Sequence, residues 1–235
     1  MEFDEVKRIY HKSRESRSDY QFVGKLFNDI KQKYLEEARR LGKDPNQSWN
    51  SWSGHNLQKL IAYIIEEYAD KNKHPVGITS DDALRRKKLP ADLEQVKRNI
   101  LVLYAEFAVV PDADIVLYDK KSLKVIAILS CKASLRERIA QAAYWKIKLH
   151  SAANTRDILC YLVSTDNDGD FLATGENTSR DRIIVEYGEL DGAYILRDIP
   201  QSAKIKLFDS IFTDLMRFWT NGIANNIKLP SKEIK

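Results

Sequence analysis

The chain has 235 residues, 43% hydrophobic and 31% charged, the make-up of a globular protein with a substantial core. No uninterrupted apolar run approaches the ~18 residues of a membrane span, and the start, MEFDEVKRIY, lacks a signal-peptide pattern, so a cytoplasmic protein is expected. Two cysteines, four histidines and no CxxC argue against a disulfide scaffold and a structural zinc site.

The first 43 residues read as helix, with Phe22, Leu26, Phe27, Ile30, Tyr34 and Leu35 at three- and four-residue spacing. Gly42-Lys43-Asp44-Pro45 is a breaker, and NQSWNSWSGHN after it reads as a polar loop. Its Trp49 and Trp52 suit core packing ahead of base stacking. A second helix is expected from about Asn56 to Lys71, carrying Leu57, Leu60, Ile61, Ile64, Ile65 and Tyr68 on one side. A polar segment follows, DKNKHPVGITSDDALRRKKLPAD, in which Arg85-Arg86-Lys87-Lys88 forms a basic cluster. A third helix begins after Pro90 and includes Leu93, Val96 and Ile100, while ILVLYAEFAVV fits either helix or strand.

Residues 158–166, ILCYLVSTD, read as a buried strand. Asp166-Asn167-Asp168-Gly169-Asp170 is a turn; the glutamate that would close a calcium loop is not at its required spacing. Ile183-Ile184-Val185 and Ala193-Tyr194-Ile195-Leu196 suggest short strands. A last helix is expected from about Ser202 to Trp219, with Ile205, Phe208, Ile211, Phe212, Leu215 and Phe218 on its apolar side. The order suggests a mixed α/β protein with a helical N-terminal region, 1–95, and a core, 96–235.

The most informative stretch is Val110 to Leu149: a strand, a turn, a second strand ending in Ser130-Cys131-Lys132, and a helix. Net charge is +4 overall. From Asp119 to Leu149, eight Lys and Arg face Asp119 and Glu137, which makes that window +6 and leaves −2 for the rest. Such a patch suits a polyanion partner. A turn centred on Lys120-Lys121 sets Asp112 opposite Ser130 and Asp114 opposite Ile128, and gathers both carboxylates, Ser130 and Lys132 on one face. Carboxylates can hold Mg²⁺, which activates water against a phosphodiester. A nearby lysine orients that water or offsets charge. Cys131 points to the other face and reads as core.

Pro111-Asp112, with Ser130-Cys131-Lys132 eighteen residues on, resembles the PD-(D/E)XK nuclease motif, here in a Ser-x-Lys form. That form is similar to the CCGG-cutting, NgoMIV/BsaWI-like type II restriction endonucleases, and Arg136-Glu137-Arg138 matches their R-(D/E)-R motif. The resemblance covers residues 110 to 149. It implies a restriction-endonuclease-like core, a mixed β-sheet flanked by helices, and Mg²⁺-dependent cleavage of double-stranded DNA with Asp112, Ser130 and Lys132 as catalytic residues. In those enzymes a glutamate from the following helix replaces the acid lost before x-Lys. Trp145 and Lys146 stand at that place here, and the helix has no acid after Glu137. Glu106, Glu66, Glu67 and Asp114 are the candidates to join Asp112 at the metal.

Arginine pairs with guanine O6 and N7 and glutamate accepts from cytosine N4, so Arg136, Glu137 and Arg138 at a helix start suit a GC-rich site. Gln141, one turn on, is a further candidate for a base contact. Ser134-Leu135-Arg136-Glu137 also fits a capping box, which would tie Glu137 to its own helix. A palindromic site implies a homodimer or a higher assembly of dimers. The rival expectations are a non-catalytic DNA-binding module and a repair or structure-selective nuclease without sequence preference.

Overall fold

The computed structural model of the chain describes residues 1–135 and 138–220, with side chains up to residue 217. Three helices open the chain: α1 (Phe3–Arg14), α2 (Phe22–Arg40) and α3 (Pro45–Lys71). Strand β1 (Val76–Thr79), a single turn α4 (Asp81–Leu84), α5 (Ala91–Ile100) and a small hairpin of β2 (Val102–Tyr104) and β3 (Phe107–Val109) follow. Then come β4 (Ile115–Asp119), β5 (Val125–Lys132), α6 (Arg138–His150) and β6 (Leu159–Ser164). The chain continues through α7 (Arg180–Tyr187), β7 (Gly192–Ile195), β8 (Ile205–Leu207) and α8 (Ser210–Thr220).

Six strands form one mixed sheet in the order β1-β4-β5-β6-β7-β8. The pairs β1–β4 and β4–β5 are antiparallel, and β5–β6, β6–β7 and β7–β8 are parallel. Residues from α1, α2, α3 and α8 pack on one face with Ile115, Leu117, Leu129 and Cys131. Residues from α4, α5, α6 and α7 pack on the other with Val116, Tyr118, Ile128 and Leu162. Alternation along β4 and β5 sends successive side chains to opposite layers. Both cores draw on residues from each side of position 95. Among the described residues no helix is long and apolar enough to cross a membrane.

Several expected elements are corrected. NQSWNSWSGHN is helix, not loop. Asp44 caps α3 by accepting from the Gln47 N–H at 2.7 Å, and Pro45 is its first helical residue, so the apparent breaker is a start signal. Trp49 is buried and stacks on Trp52 with centroids 5.5 Å apart, as expected for core residues. The polar segment hides β1, a four-residue edge strand whose Gly77 leaves room for the Tyr118 ring across the pair. Ile183-Ile184-Val185 lies on α7, capped by Ser179, with Val185 inward and Ile183 outward. The last helix starts at Ser210, not near Ser202, because Ile205–Leu207 extends the sheet as β8.

Candidate active site

The β4–β5 turn decides what meets what. Asp119 closes it: its carboxylate accepts from the Lys121 N–H (3.0 Å) and from the Ser122 hydroxyl (2.8 Å), and Lys120 to Lys124 bulge out as the connection. This loop is longer than a two-residue turn, and a register shift sits at Leu117/Tyr118. Ile115 therefore pairs with Leu129, and one step further out Asp114, not Asp112, comes level with Ser130. The expected register was two residues off.

Asp114 is thus the carboxylate at Lys132. Its Oδ2 accepts from the Lys132 ammonium at 2.8 Å and from the Cys131 N–H at 2.7 Å. Gln58 of α3 donates to the Asp114 main-chain carbonyl, so both ends of the residue are held. The pair is partly open: the side chains are 26% and 18% exposed for Asp114 and Lys132. Ser130 is buried two residues before Lys132 on the same strand. Cys131 packs in the core below α3, where burial pushes its thiol well up and the Asp114 charge adds to the shift.

Asp112, expected to be the partner of Lys132, turns elsewhere. Its Oδ1 accepts from Arg85 Nη2, and its Oδ2 from Gln141 Nε2 (2.8 Å) and Trp145 Nε1 (3.2 Å). Burial opposes its ionisation, but these three hydrogen bonds and the Arg85 charge outweigh it and hold the carboxyl below its ordinary range. Arg85 Nη1 also pairs with Asp81 at 3.0 Å. Asp81 is brought here because the Asp81 N–H bonds the Ala113 carbonyl at 3.1 Å, extending the β1–β4 pairing. Burial raises the Asp81 pKa, against the Arg85 charge.

The other candidates separate. Glu67 meets Tyr10 of α1 at 3.5 Å, in the helical layer. Glu66 and Glu106 are exposed, the latter at the tip of the β2–β3 hairpin. Arg138 is exposed at the start of α6, and Gln141 follows it one turn on. Arg136 and Glu137 lie outside the described residues. Of the two residues at the place of the compensating glutamate, Trp145 reaches Asp112, while Lys146 is buried against Asp191 at 2.7 Å. The sequence reading missed Gln58 and Asp81, whose arrival depends on long-range packing, and saw Arg85 only as one of a basic run.

Among the described residues no three His, Cys, Asp or Glu side chains gather into a cage for a metal ion. Mg²⁺ needs less, because it takes one or two carboxylates and fills its remaining sites with water and substrate phosphate. Asp114 fits that demand: its two hydrogen bonds fall on one oxygen, and the site is partly open.

A family model described as BsaWI restriction endonuclease type 2 matches residues 92–214. The chain is 33% identical over 226 residues to a Methanocaldococcus jannaschii protein named as the type II restriction enzyme MjaVIP, covering 92% of this chain and 94% of the relative. It is 32% identical over 177 residues to a Helicobacter pylori protein named as the type II restriction enzyme HpyAORF263P, covering 69% and 89%. The fold resembles that of the restriction endonuclease PspGI in a substrate DNA complex, with a TM-score of 0.53 at 13% identity over 87% of this chain and 81% of that one.

Proposed function

The chain belongs to the BsaWI restriction endonuclease type 2 family, and from that membership we propose Mg²⁺-dependent cleavage of double-stranded DNA at a short GC-rich, CCGG-like palindrome, with Asp114 and Lys132 as the reacting-centre residues. The observation that carries the reading is the 2.8 Å Lys132–Asp114 pair at the open ends of β4 and β5.

When bound, Mg²⁺ would lower the pKa of an attacking water and offset charge on the phosphate. Asp114 and the neighbouring Cys131 carbonyl are the oxygens offered to it. The Cys131 N–H and Gln58 hold Asp114 still, so its carboxylate need not reorganise during the reaction. Lys132 donates to the water or to a phosphate oxygen and stabilises the negative charge that develops there. Ser130 supplies the neutral surface behind the pair. Arg138, at the start of α6, reads guanine and cytosine edges together with Arg136 and Glu137, which precede it in the sequence. The basic run Arg85 to Lys88 is exposed beside the site and suits phosphate contact, which positions the duplex without reading it. Two-fold symmetric DNA asks for a two-fold symmetric enzyme, hence a homodimer or an assembly of dimers acting in the cytoplasm.

Digestion of a plasmid of known sequence with Mg²⁺, followed by sequencing of the fragment ends, tests the reading. Discrete bands whose ends share one GC-rich palindrome are expected. A smear, or intact plasmid with every divalent ion tried, overturns it.

A further inference from the structure

Asp112 belongs to neither half of the reacting pair, yet it touches the elements on both sides of it. Through Oδ1 it holds Arg85, whose Nη2 also reaches the Val110 carbonyl at 3.3 Å and whose Nη1 holds Asp81. Through Oδ2 it holds Gln141 and Trp145, one turn apart on α6. Gln141 lies one turn beyond the exposed Arg138, and exposed Arg86, Lys87 and Lys88 follow Arg85. Asp112 is also only two residues from Asp114 along the chain.

We infer that Asp112 is a positioning residue for specificity: it clasps the base-reading start of α6 and the Arg85 loop to the strand entrance that carries Asp114. This rests on the reading that the start of α6 contacts bases. With the clasp closed, a shift of α6 toward its correct base pairs moves Asp112 and, through two peptide units, Asp114. A duplex with a wrong base then leaves the reacting pair misplaced as well as costing a contact, and displacements of about 1 Å are enough to slow a reaction ~100-fold.

The same contacts argue against Asp112 as a cation ligand. A carboxylate offers about four acceptor positions, and three donors already share those of Asp112. One donor is the Arg85 guanidinium, and a divalent ion beside it would meet a like charge. Asp114 also carries a cation, the Lys132 ammonium, but both of its donors fall on Oδ2, so the difference from Asp112 is that Oδ1 is left for an ion.

The test uses two short duplexes, one carrying the site mapped from the wild-type fragment ends and one with a single base pair of it changed. Cleavage rates of both, and the Mg²⁺ concentration giving half-maximal rate, are measured for wild type, Asp112→Asn and Trp145→Phe. The asparagine keeps the shape but sets an amide donor against its donor neighbours on one side. The phenylalanine removes the indole N–H and leaves a smaller aromatic ring in its place. Asp112→Asn is expected to lower the ratio of correct to altered cleavage at least tenfold, and Trp145→Phe several-fold, with the Mg²⁺ midpoint within twofold of wild type. An unchanged ratio in Trp145→Phe together with an unchanged ratio or no folded protein in Asp112→Asn overturns the inference, as does a tenfold rise of the Mg²⁺ midpoint. A wild type that gives no discrete fragments overturns the underlying reading as well.

Discussion

The antiparallel and parallel halves of the sheet both set carboxylates against cations at short range, and they expose them differently. In the parallel half, Lys146 and Asp191 meet at 2.7 Å with side chains 11% and 10% exposed, and Asp191 also accepts from the Cys160 N–H. Asp214 takes the buried Tyr194 hydroxyl at 2.8 Å on its inner side, and at 2.7 Å it takes Lys206, whose side chain is 31% exposed, so of the two ion pairs only Lys146–Asp191 is closed on both sides. In the antiparallel half the Lys132–Asp114 pair is as short, at 2.8 Å, but opens to solvent, and Asp112 and Arg85 are 45% and 43% exposed. Distance alone does not separate scaffold from site. A buried pair with every partner in place stabilises the fold only while it is intact. An open pair can exchange a partner for water, metal or phosphate, which is what chemistry requires.

The largest expected effect lies on the open side. Lys132→Ala should lower the cleavage rate by about 10³-fold or more, in line with loss of a proton-handling, charge-stabilising group, with thermal stability close to wild type. A substantial fall in stability alongside the rate would mean that this pair is scaffold too, and the comparison would break. On the closed side the pattern should reverse. Lys146→Ala strands Asp191 in the core and should cost about 3–5 kcal/mol in urea unfolding, while folded enzyme at low temperature still cuts. Intact stability would show the pair to be solvated.

A smaller effect concerns Asp166, whose side chain is fully buried below the end of β6. Burial pushes its pKa up to about 6, against the Phe171 N–H and the Arg197 charge. The folded state therefore holds its proton to higher pH than the unfolded state does. Wild-type stability should fall as pH rises from about 4 to 6, by up to ~3 kcal/mol, and stay at that cost above. Asp166→Asn removes this slope, and asparagine tolerates the positive φ of 51° there. Denaturant unfolding at pH 4.5 and 7.5 checks the sign: the variant should gain on wild type at the higher pH. The smallest change expected is about 1 kcal/mol for Tyr194→Phe, since Asp214 keeps Lys206 when the hydroxyl is lost.

Much of the central stretch was legible because its signals are local. The alternating apolar residues of β4 and β5, the apolar run of β6 and the helix after Pro90 all emerge as read. The exact carboxylate was not legible. It depends on the β4–β5 register, and the register depends on a side chain, Asp119, closing a turn of unexpected length. Asp81 and Gln58 reach the site only through the β1–β4 pairing and the packing of α3, which no spacing announces. Strand β1 escaped notice because four residues between polar neighbours show too little alternation. The start of α3 was misread because Asp-Pro serves turns and helix caps alike.

In the proposed reaction Asp114, rather than Asp112, shares the reacting centre with Lys132. Single-turnover cleavage of one plasmid by Asp114→Asn and by Asp112→Asn, both confirmed as folded by circular dichroism, tests it most directly. No detectable cutting is expected from the Asp114 variant, and retained, less discriminating cutting from the Asp112 variant. Cutting by Asp114→Asn at the wild-type rate, with none by Asp112→Asn, would contradict it.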